Sequence, residues 1–200
     1  MEENKQKKLL STFIATGSSI VTLFIASGLT LDPVNSTKLL LLIVLAFTTL
    51  GLWFTNFKQL ISKQNLVILI PVTLLIVGLI ISLIFGRAPL STNLIGESGR
   101  NTGSLTYFCL TLVFLGSIHI QYKRGYEKII WGLIIAGLFN LSYGLVIILI
   151  GKDPFPWVNP YNSFIGTLGN PDFISAFLGM AFIVTIAYLP KSRKQNKKTS

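Results

Sequence analysis

The 200-residue sequence predicts an all-α, polytopic integral membrane protein of about six transmembrane helices, with both termini cytoplasmic. Three observations carry that expectation. A mean hydropathy of +0.67 with only 12% charged residues is too apolar for a surface facing water. Six apolar runs approach the roughly 20 residues a helix needs to cross the hydrocarbon layer. The basic residues, finally, are sorted to alternate sides of those runs. The runs are continuous, without the alternation of an outer-membrane barrel strand, and in lipid only a helix or a closed barrel satisfies its own backbone.

Residues 1–8 carry Lys5, Lys7 and Lys8 and form a cytoplasmic arm. The first span covers 9–31. Small residues at Ala26, Ser27 and Gly28 resemble a cleavage site, but the apolar stretch exceeds the roughly 7 to 15 residues of a secretory signal, so the span is expected to remain. Further spans follow at 37–55, 66–86, 102–120, 129–151 and 172–189, and a basic cytoplasmic tail occupies 190–200. This arrangement leaves outer segments at 32–36, 87–101 and 152–171, and short inner connections at 56–65 and 121–128. Of the 17 Lys and Arg residues, only Lys38, Arg87, Arg100 and Lys152 fall on the outer side. The net charge of +10 is therefore a signal of topology, and it argues for the lipid bilayer as partner and against nucleic acid. The tail, KSRKQNKKTS, is polar enough to be disordered and basic enough to lie against anionic lipid.

Within the spans, Gly132, Ala136, Asn140 and Gly144 recur every four residues and share one helix face, which reads as a close-packing seam with Asn140 seeking a hydrogen-bond partner. Thr12, Thr16 and Ser19 form a weaker stripe. His119 lies at the inner end of the fourth span and reads as interfacial. It has no second His and no Cys cluster beside it, and Cys109 is the single cysteine, so neither a metal site nor any other cofactor is expected. No metalloprotease, P-loop or serine-hydrolase motif is present. Transporters bury charge in mid-span, and none of the six runs has a central charged residue.

Chemistry outside the membrane falls to the two long outer segments. GRAPLSTNLIGESGRN holds Arg87, Glu97 and Arg100 among Gly and Ser, and an Arg fork suits phosphate or carboxylate. GKDPFPWVNPYNSFIGTLGNPDF carries Lys152 and the aromatics Phe155, Trp157, Tyr161 and Phe164, suited to a membrane interface or to stacking on sugar rings. Asn170, Pro171 and Asp172 read as the cap and first two residues of the last helix, after a turn made possible by Gly166 and Gly169. An exposed helix N-terminus can receive an anion. Arg87, Arg100, Lys152 and Asn170 are the candidate substrate-binding residues, with Arg100 expected to contribute more than Lys152.

Two stretches, GESGRNTGSLTYF (96–108) and YNSFIGTLGNPDFISAFLGM (161–180), resemble the O-antigen ligase and O-antigen polymerase superfamily. Members of that family show GRxTGxLTY-like and GxLGNPNFxA-like segments leading into spans of their N-terminal half. Here Asp172 stands where Asn is common. The resemblance implies a polytopic inner-membrane enzyme of the bacterial cell envelope that transfers glycan from an undecaprenyl-diphosphate carrier without a metal. It implies more helices than six, and an outer loop with essential Arg and His in a C-terminal half that would be this chain's partner. No catalytic residue carries over onto these 200 residues, and the chain alone is expected to be inactive. A non-enzymatic membrane subunit and a small-solute transporter are the alternatives.

Overall fold

The computed structural model describes residues 2–26, 34–54, 63–97, 99–118, 120, 123–153 and 163–199. Among them are seven α-helices, α1 (Glu2–Leu23), α2 (Asn35–Phe54), α3 (Lys63–Phe85), α4 (Leu90–Ile95), α5 (Ser104–Ile118), α6 (Lys123–Ile150) and α7 (Pro171–Thr199), and a 3-10 turn at Gly166–Leu168. Four helices are long and apolar enough to cross a membrane, through Asn35–Leu52, Val67–Phe85, Gly125–Ile150 and Pro171–Tyr188. α5 is apolar but has only 15 residues. α1 spends its first turns on charged residues and ends at Leu23, so its apolar part is shorter than the run in the sequence. The remainder of that run, from 27 on, lies outside the described residues, as do His119, Phe155, Trp157 and Tyr161.

Two boundaries correct the sequence reading. The basic tail was expected to be disordered, yet α7 continues through it to Thr199. Lys, Arg and Gln are good helix formers, and extending an existing helix avoids the cost of nucleating one. The 87–101 segment, rich in Gly and Ser, is not an open loop: it contains α4 and a tight turn.

Contacts fix the direction of each helix. Ser11 lies against Gly125, and Ala15 and Ser19 against Gly132, so α1 and α6 run parallel. Gly17 meets Leu45, and Lys38 reaches the carbonyls of Val21 and Thr22, so α2 runs back along α1. Asn101 bonds Ser36 and Gly116 packs on Thr49, which sets α5 parallel to α2. α7 begins with Ile174 against Gly166 of the 3-10 turn and descends along α6, through Ala181 against Gly137, to Tyr188 edge-on to Trp131 with ring centroids 6.1 Å apart. The start of α1 and the end of α7 therefore lie at one face of the bundle, here termed proximal. The opposite, distal face carries the 87–101 segment and the turn at Gly166–Leu168.

The core sits between α1, α2 and α5, where Leu42, Ala46, Cys109 and Leu112 form one cluster and Leu10, Ile14 and Ile120 another. Hydroxyls inside these helices mostly bond back to their own backbone: Thr12, Thr16, Ser19 and Thr22 each donate to the carbonyl four residues earlier at 2.8–2.9 Å. This removes a polar group from lipid without a partner helix. Thr49 is the exception among the described residues, its hydroxyl buried without a hydrogen bond. α3 touches only α4 and α5 appreciably, and among its described side chains only Val72 is buried while Val67, Ile70, Leu74, Ile84 and Phe85 are exposed.

Candidate functional site

The distal ends of α6 and α7 are separated by an apolar groove of about 760 Å³. Its walls are Leu141, Leu145 and Ile148 of α6, Leu178 of α7, and Phe164 and Ile165 of the segment before the 3-10 turn. Its rim is polar, formed by Lys152, Asp153 and Ser163. A second apolar cavity of about 250 Å³ continues between α6 and α7 toward the proximal face, sharing Leu141 and Leu178 with the first. Both are lined mostly by apolar side chains, and the charged groups stand on the rim of the first. Volumes of this order are typical of ligand sites, roughly 300 to 1,000 Å³.

Local chemistry sets where the Phe164 wall of the groove stands. Gly144 has no side chain, so the outer end of the Phe164 ring comes onto α6, its Cζ and Cε atoms 3.1–3.3 Å from where a Cβ would be. Tyr143, one residue earlier, packs on the same ring at 5.8 Å and donates a 2.5 Å hydrogen bond to Asp153, which holds the chain leaving α6. Lys152 is thereby left on the rim, exposed.

Behind the Phe164 wall lies a buried polar network. The Asn140 side-chain oxygen accepts the Thr167 N–H at 2.8 Å and lies 3.0 Å from the Thr167 hydroxyl, while its amide donates to the Ala136 carbonyl at 3.1 Å. The Thr167 hydroxyl is also 2.9 Å from the Thr22 carbonyl, so its one proton is shared between two acceptors. Thr22 accepts a further hydrogen bond from Lys38 at 2.5 Å, and Lys38 donates to Val21 at 2.7 Å. A cation at the carbonyl end of α1 satisfies groups that lipid cannot and complements the helix dipole. Four elements, α2, α1, the 3-10 turn and α6, are joined in this way.

The candidate residues fall into three places. Lys152 is on the groove rim. Arg87 is exposed at the end of α3, which Gly86 closes by donating to Ser82. Arg100 and Asn170 lie in turns that both meet the start of α2. Asn35 donates to the Gly99 carbonyl at 2.6 Å, Asn101 donates to Ser36 at 3.2 Å, and Val34 packs 3.0–3.3 Å from the Cβ position of Gly169. The Arg100 turn is hydrogen-bonded on both sides: Arg100 and Asn101 donate to Glu97, Gly103 donates to Ile95, and Asn101 adopts φ 50° with its carbonyl accepting from Thr106. Asn170 caps α7, its side chain accepting the Asp172 N–H at 2.8 Å, so its polar atoms serve the helix first.

Sequence reasoning missed Lys38, Thr167 and Asn35. From the sequence Lys38 reads as one more outer charge, because it stands just ahead of the continuous apolar stretch that begins at Leu39 and not inside it. Thr167 and Asn35 gave no comparable signal, since their partners are 27 and 64 residues away. The α6 seam, by contrast, was legible as a small-residue stripe. Comparisons of this chain with protein-family models, with curated proteins and with solved structures find no match.

Proposed function

We propose that this chain binds the lipid end of a membrane-embedded glycan donor, as the membrane portion of an O-antigen ligase- or polymerase-like enzyme acting on an undecaprenyl-diphosphate carrier. The groove between α6 and α7 supports this reading best: its apolar walls suit a prenyl chain, and Lys152 on its rim suits a phosphate. The family part of the proposal rests on the two sequence stretches, which meet at the start of α2 through Gly99, Asn101 and Gly169. The proposed setting is a bacterial inner membrane crossed six times, with the proximal face cytoplasmic, because the proximal segments carry most of the basic residues. Of the candidate cations, Lys152 is placed first for the carrier, ahead of Arg100, since only Lys152 lines the groove.

Two measurements test the reading. Cysteines at Ser98 and Ser163, in a Cys109→Ser background, are expected to react with a membrane-impermeant thiol reagent from outside intact cells, and a cysteine at Ser192 is not. The reverse pattern inverts the topology and moves the groove to the wrong side. A benzophenone-bearing farnesyl diphosphate, photolysed on the purified protein, is expected to label 141–153 and 163–178, and Lys152→Ala to weaken its binding about threefold to tenfold. Labelling spread over α3 instead would remove the groove from consideration.

A further inference from the structure

The groove wall formed by Phe164 and Ile165 belongs to neither flanking helix, so something else must hold it in place. Thr167 follows it by two residues. Both Thr167 and Asn140 are fully buried, and neither lines the groove. The Thr167 N–H and hydroxyl converge on one oxygen of Asn140, which sits one helical turn from Gly144, the residue on which Phe164 rests. Gly166 adopts φ 55°, and a Cβ there would meet the Ile174 side chain and, at 2.8 Å, the Asn140 oxygen itself. The turn is thus pressed onto Asn140 as closely as a backbone can come.

We propose that Asn140 and Thr167 are positioning residues for the groove: they set where the Phe164–Ile165 wall stands and so decide whether a prenyl chain fits, without touching the ligand. This rests on the groove being the lipid site. A seam residue that only packed α6 would need no acceptor directed at a turn 27 residues away. An apolar wall facing lipid has no inward force of its own, because lipid is as apolar as the wall. Buried hydrogen bonds supply the direction that the hydrophobic effect cannot.

The test uses the farnesyl diphosphate photoprobe on the folded, monodisperse protein, with labelled residues mapped by mass spectrometry. Thr167→Ser keeps both donors and is expected to label within twofold of wild type at every site. Thr167→Val keeps shape but loses the hydroxyl, and Asn140→Ser removes the shared acceptor from the other side. In each, labelling at 163–165 is expected to fall at least fivefold while labelling on the α7 face of the groove persists. Either variant, folded and labelled at 163–165 as in wild type, overturns the positioning role. If wild type itself is not labelled in the groove, the lipid-site reading fails first, so the two failures are distinguishable.

Discussion

The seam of α1, α6 and the 3-10 turn and the contact of α3 with α5 are two ways of joining helices in an apolar bundle. The first uses small residues and directed hydrogen bonds: Gly125 against Ser11, Gly132 against Ala15 and Ser19, Asn140 to Thr167, and Thr167 and Lys38 to the end of α1. The second uses aliphatic side chains alone, with Val72 and Leu115 packed among Leu69, Ile76 and Ile118. In water both would be driven by burial of apolar surface. In lipid that drive is largely absent, so close packing and hydrogen bonds decide which contacts are strong. The seam is therefore expected to set the stability of the bundle and the shape of its groove, and the α3 contact to contribute little to either.

Substitutions can break that contrast or sharpen it. The largest effect is expected at Gly132→Leu, where an added Cβ alone would stand 2.8 Å from the Ser19 hydroxyl and 3.0 Å from the Ala15 carbonyl. Overpacking of this kind costs about 1 to 3 kcal/mol, and equilibrium unfolding in mixed micelles should register the upper part of that range. Gly78→Leu on α3 has nothing within 4 Å and should stay within about 0.5 kcal/mol of wild type. Comparable losses from both substitutions would mean that α3 is packed as firmly as the seam.

Asn170→Ala removes the cap of α7 and should cost about 1 kcal/mol by the same measurement, with faster amide exchange confined to the first turn of α7. Lys38→Met should cost about 0.3 to 1 kcal/mol and speed exchange at the end of α1, because the carbonyls of Val21 and Thr22 lose their cation. No change in exchange there would show that the lysine does not hold α1. The smallest effect has the opposite sign. Thr49→Val replaces a buried, unpaired hydroxyl with a methyl of the same shape and should gain up to about 1 kcal/mol. A loss at Thr49 would place the hydroxyl in a hydrogen bond that forms in the bilayer.

Much of the helical pattern could be read along the chain, because apolar run length, capping residues and charge placement are local properties. The starts of α2, α3 and α7, the cap at Asn170 and the turn at Gly166 and Gly169 all follow from residues within a few positions of one another. The helical tail was misread because composition was weighed without the helix that precedes it.

By itself, then, the sequence determined an all-helical, strongly apolar chain, the approximate extents of its long helices, and a face on α6 made for close approach. Tertiary structure alone decided which turn that face receives and where Lys38 spends its charge. It also decided that Lys152 stands on a groove rim while Arg87 and Arg100 stand elsewhere. The physical reason is the range of the interactions. Helix formation and insertion depend on neighbours along the chain, and they read out in order. A groove is the space between elements that meet only after folding, its wall seated where Gly144 lacks a side chain and beside a hydrogen bond spanning 27 residues.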